Sequence, residues 1–503
     1  MRFRPSLWLL GWFGSAALAV AHCGFAGNDA GLDDVDGASV APDSAAAIDA
    51  RDDRPEPPEP APRGLEAIEV VTGDASSCAL DTAGRVYCWG SNEAGQLGLS
   101  LGVASVSVPR RVALPPGVKV IHLAGGAEHT CALTDRADLV CWGRNHLGQV
   151  GRTPSATAAP DLVTLPSALA TATFVAVAAG GAHTCALYLP PQLGDGGEVD
   201  AGGQADSLRL ACWGANGSGQ LARDDVPFAE LPADVRRNGS SGPAVAAGLA
   251  ALGGAFSVAS LRSAEGSRVQ VWGSAAGGVL GSSPDAGARS VPSVVTSEGG
   301  SPLQGAFSLH AGTAHACALL SRPTDSAGDA SADADGPDAA ADAAQDGSAA
   351  ESSTQLVCWG ANDRGQLGRG GASAWELPVG SSIDPGATLA LGGQVSCVLS
   401  GGILRCAGSD DQGQLGIGAA DEAPHPTLTA VVQPSGTIVA ASVGAQHACA
   451  VVETAPRVRQ IACWGDNRSG QLGDGMSVGA GYDDSLPADR FRRTRPVFVA
   501  PAE

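Results

Sequence analysis

The stretch Cys131–Gly151, CALTDRADLVCWGRNHLGQVG, decides how this 503-residue chain is read. Nearly the same words stand at Cys78–Gly98, CALDTAGRVYCWGSNEAGQLG. In both, a cysteine returns ten residues after the first, a Trp-Gly pair follows, and a Gly-Gln-Leu-Gly-like tag closes the unit. Working outward, the Trp-Gly landmark recurs at Trp89, Trp142, Trp213, Trp272, Trp359 and Trp464, and a seventh copy has Ala407-Gly408 there. Tags follow at Gly95–Gly98, Gly148–Gly151, Gly219–Ala222, Gly365–Gly368, Gly413–Gly416 and Gly470–Gly473, with a degenerate one at Gly278–Gly281. Before each landmark runs a stretch of β-branched and small residues ending in glycine, such as VIHLAGG at Val120–Gly126.

Internal repetition at this period implies one supersecondary unit stacked on its neighbours. Each copy reads as four short strands: one ending in the Ala-Gly turn, one carrying HTCAL, one carrying the second cysteine and Trp-Gly, and one after the tag. Landmarks lie 48 to 87 residues apart, the long intervals because of insertions. A four-stranded sheet repeated seven times predicts an all-β, seven-bladed β-propeller of four-stranded blades over 65–503. The tryptophan supplies a large apolar plate between blades, and the glycines supply backbone freedom.

The string Trp142-Gly143, Asn145, Gly148, Gln149, with Gly126, His129 and Cys131 before it and equivalents in the other copies, resembles the regulator-of-chromosome-condensation repeat over about residues 65–500. The resemblance implies a seven-bladed propeller that works through its loops. In the eukaryotic family it implies guanine-nucleotide exchange on a small GTPase, and some bacterial relatives of this propeller class bind and inhibit secreted β-lactamases.

Twelve of the 13 cysteines fall in pairs, one in the second and one in the third strand of a copy. They are Cys78 with Cys88, Cys131 with Cys141, Cys185 with Cys212, Cys317 with Cys358, Cys397 with Cys406 and Cys449 with Cys463. The fourth copy has Val258 and Val271 at both places, so the two cysteines are present or absent together. In an antiparallel hairpin they face each other at about 4.5–5.5 Å, within reach of a disulfide. Six cross-strand disulfides are expected, with zinc ligation or free thiols as the rival readings.

The remaining cysteine, Cys23, ends a segment with Arg2 and Arg4 followed by an apolar run from Leu7 to Ala21. That is the pattern of a signal peptide over 1–22. Cys23 resembles the lipidated cysteine of a bacterial lipoprotein, though His22 replaces the usual small residue; cleavage after Ala21 with plain secretion is the alternative. Residues 23–64 read as an acidic Pro/Ala/Asp-rich tether, unable to form a core. The net charge of −22 is concentrated. Residues 27–63 carry −7 and the insertion 324–351 carries −8, which leaves −7 for the rest. No basic stripe is offered to a nucleic acid.

His129, His183, His315 and His447 recur before the first cysteine and are expected to bond their local turns rather than a metal. Asp329–Gly347 spaces its aspartates loosely like a calcium loop but lacks the closing glutamate, and reads as a disordered acidic hairpin tip. Tyr188, Phe228, Trp375 and Tyr482 are read as sitting in insertions outside the repeat core, where an aromatic anchors a partner or packs locally. No nucleophile elbow, phosphate loop or carboxylate pair stands out. The reading is a non-enzymatic, cofactor-free, monomeric binding scaffold, exported to the cell envelope or secreted. Its partner would be an unidentified protein or envelope component, met without nucleic acid and without membrane beyond an anchor at Cys23. The alternatives are an exchange factor and a propeller-type glycan-acting enzyme.

Overall fold

The four strands expected of each repeat form in chain order, and each set pairs only with itself. A computed structural model describes residues 65–190, 208–224, 226–236, 244–263, 266–322, 353–476 and 492–502. The signal segment 1–22, Cys23, the tether 23–64, the insertion 324–351 and Tyr482 lie outside the described residues. Within them, seven antiparallel four-stranded sheets follow one another. We call them blades 1 to 7, spanning 67–111, 120–162, 173–234, 246–294, 306–383, 388–430 and 437–498. This is the all-β, seven-bladed propeller that the repeats predict.

Burial follows the pattern of the repeat. The second and third strands are buried along their length: Ser76–Asp81 and Val86–Ser91 in blade 1, His129–Thr134 in blade 2. The fourth strands, such as Ser155–Leu162, form the exposed rim. Six tryptophans, one from every blade but the sixth, are fully buried. Trp142 sits among Leu97 and Val112 of blade 1 and Ala132 and Val140 of its own blade. Burying such a ring stabilises each interface by roughly 3 kcal/mol or more. Where blade 6 has Ala407, Leu428 from its fourth strand stands against Gly368, as the Trp142 edge stands against Gly98 elsewhere.

The glycine after each tryptophan has a specific task. In every blade the third-to-fourth strand register slips at the landmark, for example between Cys141 and Gly143. Gly143 adopts φ of +105°, and a Cβ there would meet the Glu128 carbonyl at 2.6 Å. The slip is a β-bulge, which bends the strand beside the tryptophan.

The inner strands end in turns that join hands around the axis. Asp74 N–H donates to Ala127 O (3.0 Å), Ala127 N–H to Gly180 O (3.2 Å), Gly181 N–H to Gly253 O (3.1 Å), Gly254 N–H to Thr313 O (3.1 Å) and Thr313 N–H to Gly393 O (2.9 Å). Glycine is required by the approach: a Cβ on Gly126 would lie 2.8 Å from Gly180 O, and one on Gly444 would lie 2.3 Å from Gly73 O, where blade 7 meets blade 1. Among the described residues no strand is exchanged at that closure, because blades 1 and 7 are each complete from consecutive strands.

Candidate functional site

The cysteine pairs face each other in register across the second and third strands. Cys78 lies opposite Cys88, Cys131 opposite Cys141 and Cys185 opposite Cys212. Cys317 lies opposite Cys358, Cys397 opposite Cys406 and Cys449 opposite Cys463. All six pairs are joined in the structure, with Cα atoms 4.1 Å apart. That spacing is slightly tighter than the 4.5–5.5 Å expected for facing strand positions, and it is the same whether the partners are 9 residues apart, as Cys397 and Cys406 are, or 41, as Cys317 and Cys358 are. The insertion between Cys185 and Cys212 likewise leaves their pairing untouched, because it enters beyond the Tyr188–Arg209 pair. Val258 faces Val271 at the same register in blade 4. The paired sulfurs are buried.

The recurring histidines bond the next blade and not their own turns, which corrects the expectation from sequence. Nε2 of His447 meets Ser77 Oγ at 2.9 Å, His129 meets Thr184 Oγ1 at 2.8 Å, His183 meets Ser257 Oγ at 3.0 Å and His315 meets Ser396 Oγ at 2.9 Å. Three of the hydroxyls in turn donate to the main-chain carbonyl of the tag glutamine in the preceding blade: Ser77 to Gln471 O (3.0 Å), Thr184 to Gln149 O (2.7 Å), Ser257 to Gln220 O (2.8 Å). In two of these three joints the landmark tryptophan donates to the same carbonyl, Trp89 to Gln471 O (2.9 Å) and Trp272 to Gln220 O (2.8 Å), while Trp213 Nε1 has no partner. The degenerate tag still serves, since Val279 O accepts from Trp359 at 2.8 Å and a carbonyl needs no particular side chain.

A signal for these pairs is present in the sequence, although a reading confined to one repeat at a time passes over it. Each histidine is followed one blade later by Ser or Thr, whereas Phe256 and Val395 at the histidine position are followed by Ala316 and Ala448. Every histidine thus meets a hydroxyl, and Thr130, which follows Ser76, bonds the Gln96 carbonyl instead.

The motif's other polar residues are equally committed. Gln96 Oε1 accepts the Ala94 N–H (2.9 Å), and Asn92 Oδ1 accepts the Leu97 N–H (3.1 Å). Around the axis the inner strands enclose a cavity of about 240 Å³ whose walls include His122, Ala178, Ala251 and His310. Burial pulls the His122 imidazole down, but Glu69 at 2.8 Å more than offsets this, and its pKa is raised. Burial takes His310 down to about 4. Among the described residues no three His, Cys, Asp or Glu side chains converge as a metal site.

The aromatic candidates separate. Tyr188 is 1% exposed, tilts against Phe174 and donates its hydroxyl to Asp234, so it is a core residue and no partner anchor. It lies inside the second strand of blade 3, His183–Leu189, rather than in the insertion that follows. Trp375 is half-buried with its ring against Gly278 of the neighbouring blade. Phe228, 39% exposed at the start of a fourth strand, faces solvent. The equivalent connections between third and fourth strands in blades 1 and 7 expose Leu101 (61%) and Met476 (59%).

Models of the Regulator of chromosome condensation (RCC1) repeat match residues 83–133 and 138–187, and 67–96 and 120–149. The chain is 32% identical over 124 residues to the Probable E3 ubiquitin-protein ligase HERC4 of Mus musculus, covering 24% of this chain and 11% of that protein. It is 36% identical over 88 residues to the Ultraviolet-B receptor UVR8 of Arabidopsis thaliana, 18% of this chain and 20% of that one. The match therefore spans only a small part of these relatives. Among solved structures, Prp20p from Saccharomyces cerevisiae, described with its binding to Gsp1p and histones, superposes with a TM-score of 0.58 at 19% identity over 84% of this chain and 87% of that one. Human WBSCR16 gives 0.56 at 18% identity over 78% and 87%. At such identity the superpositions establish the fold alone. The chain is a seven-bladed β-propeller in which residues between 67 and 187 match the regulator of chromosome condensation (RCC1) repeat.

Proposed function

We propose that this protein is an exported binding scaffold, tethered at the cell envelope through Cys23, that engages a protein or envelope partner through the non-repeating loops of its propeller. One observation carries the reading. The repeat's polar side chains, which are its most distinctive chemistry, are consumed in holding blade to blade. What remains free to differ between blades is the loops, where propellers of many kinds place their function. Export is supported by the Arg2-to-Ala21 leader pattern and by six cysteine pairs placed to oxidise. The exchange-factor reading calls for a cytosolic partner, which such a leader disfavours. The sequence offers a glycan-acting enzyme no motif that pairs an acid with a base.

The test uses the full chain expressed in its own host type. Envelope fractionation and non-reducing mass spectrometry should find it outside the cytoplasm with twelve cysteines bonded in the six intra-blade pairs. Crosslinking in intact cells should then recover a partner that is lost when residues 191–207 or 324–351 are replaced by short turns, with the circular dichroism unchanged. Cytoplasmic protein with free thiols would sink the reading.

A further inference from the structure

Five blades place an asparagine after the Trp-Gly pair, and all five use it alike. Oδ1 accepts an N–H of the tag: Asn145 from Val150 (3.3 Å), Asn216 from Leu221 (2.9 Å), Asn362 from Leu367 and Asn467 from Leu472 (both 3.0 Å), as for Asn92. Nδ2 donates across the following loop. Asn92 reaches Ser100 O (3.1 Å) and Val103 O (2.9 Å), Asn145 reaches Thr153 O (2.8 Å), Asn216 reaches Arg223 O (2.8 Å) and Val226 O (2.6 Å), and Asn362 reaches Gly371 O (3.1 Å). In blade 7 the acceptor is Asp474 Oδ1 (3.1 Å). The Nδ2 position is thus a donor surrounded by oxygen.

Blade 6 puts Asp410 there. Its Oδ1 accepts the Leu415 N–H at 2.8 Å, which fixes the carboxyl in the orientation of the five amides. Oδ2 therefore takes the place of Nδ2. Asp410 is 1% exposed, and Oδ2 has no hydrogen-bond partner. An acceptor stands where every other such blade needs a donor, and a buried, uncompensated carboxylate oxygen is expensive. The loop that follows ends at Asp421, the residue paired with Asp410 in the strand register. Asp421 Oδ1 takes the Ala423 N–H (2.8 Å) and His425 Nε2 (3.0 Å). Asp411 is committed elsewhere, with Oδ1 accepting Ser409 Oγ (3.0 Å) and Gln414 Nε2 (2.6 Å).

We propose that the 410–421 loop of blade 6 binds a calcium-class cation, with Asp410 Oδ2 as the buried ligand, Asp421 as the second carboxylate and main-chain carbonyls of the intervening loop completing the shell. The cation does for blade 6 what an amide NH₂ does for its neighbours: it satisfies oxygens on both sides of the loop. Two carboxylates with carbonyls suit a hard cation that takes 6–8 oxygens, and not zinc, which prefers Cys and His. Two carboxylates rather than three or four place the affinity at the weak end, about 10⁻⁴–10⁻³ M.

The test is a calcium titration of chelator-treated full-length protein at neutral pH, read by calorimetry and by thermal unfolding. Calcium at tenfold its Kd should raise the wild-type Tm by about 2 °C. Asp410→Asn supplies the missing donor. It should have a higher Tm than the wild type without calcium and should respond to calcium with neither heat nor shift. Asp421→Asn should fold normally and bind calcium at least tenfold more weakly. A wild type that shows no binding heat and no shift at millimolar calcium overturns the proposal, as does an Asp410→Asn protein that responds as the wild type does. A Tm raised by acidification alone, without a calcium effect, also overturns it and assigns the missing donor to a proton on Asp410.

Discussion

At the residue scale, the interface histidines carry a built-in acid sensitivity. In the pairs centred on Ser77, Thr184 and Ser257 the hydroxyl proton is used on a glutamine carbonyl, so the hydroxyl must accept from the ring, and Nε2 holds the hydrogen. Nδ1 of His129, His183, His315 and His447 is buried without a partner. A second proton would sit on that nitrogen with no acceptor. Burial accordingly lowers these rings to about 4 for His129, His315 and His447 and about 3 for His183. The unfolded chain, with histidines near 6.5, binds more protons below that value, so the stability they contribute is complete above pH 6.5 and is lost as pH falls toward 4. His310, which burial also takes to about 4, adds to this loss, while Asp410, which burial raises to about 6, and the raised groups His122 and Asp74 act in the opposite sense. Urea midpoints should fall between pH 7 and pH 5 by the equivalent of about 2 kcal/mol per histidine. A His183→Phe, Ser257→Ala double variant imitates the Phe256–Ala316 pair already present between blades 4 and 5. It should remove one histidine's share of the slope while keeping neutral-pH stability nearer the wild type than Ser257→Ala alone, which strands the ring N–H. A flat pH profile would contradict the assignment.

At the scale of elements, strand order and cysteine pairing were legible because both follow from one repeated period and a hairpin geometry that leaves little choice. Cys78 and Cys88 must face each other if the turn is short, and Val258 with Val271 shows the same register without sulfur. The inward place of Tyr188 was not legible. The sequence reads it as part of an insertion, while the strand in fact runs on through Leu189 and pairs Tyr188 with Arg209. The bulge at each tryptophan was also hidden, since a slip in register leaves no mark except a glycine that many turns would equally explain. The valine pair supplies the element-scale prediction. Replacing both members of a disulfide by valine should leave the blade folded, with a loss set by the loop released. In the chain-entropy model that is about 2.5–3 kcal/mol for Cys397 with Cys406, separated by 9 residues, and about 4 kcal/mol for Cys317 with Cys358, separated by 41. The bridge between Cys185 and Cys212, separated by 27, should fall between them. Denaturant melts of the three double variants should rank in that order. The reverse order would locate the stabilisation in native packing and not in chain entropy.

At the scale of the molecule, the ring closes by packing and polar bonds, and among the described residues no strand passes between its first and last blades. The closure reuses the standard joint. His447 bonds Ser77, Trp89 donates to Gln471 O, and Thr72 Oγ1 meets Ser442 Oγ at 2.8 Å. Leu65 and Val499, near the two ends of the propeller, pack into one cluster with Trp89, Ala67 and Leu472. Physically, then, blade 7 meets blade 1 as blade 3 meets blade 4, and the two ends of the propeller fall at one of the four joints that carry the histidine–hydroxyl bond. Moving that break should cost little. A circular permutant of the propeller would join residue 502 to residue 65 by a short Gly/Ser linker and open the chain between Val294 and Ala306. It should fold with the same circular dichroism and a Tm within a few degrees of the unpermuted propeller. Deleting blade 7 instead exposes Trp89 and the surface that Cys449 and Cys463 pack against, and should give an aggregating product. If the permutant fails while the parent propeller folds, the joint between blades 7 and 1 has a role the other six cannot take over, and the ring is not the symmetric object its repeats describe.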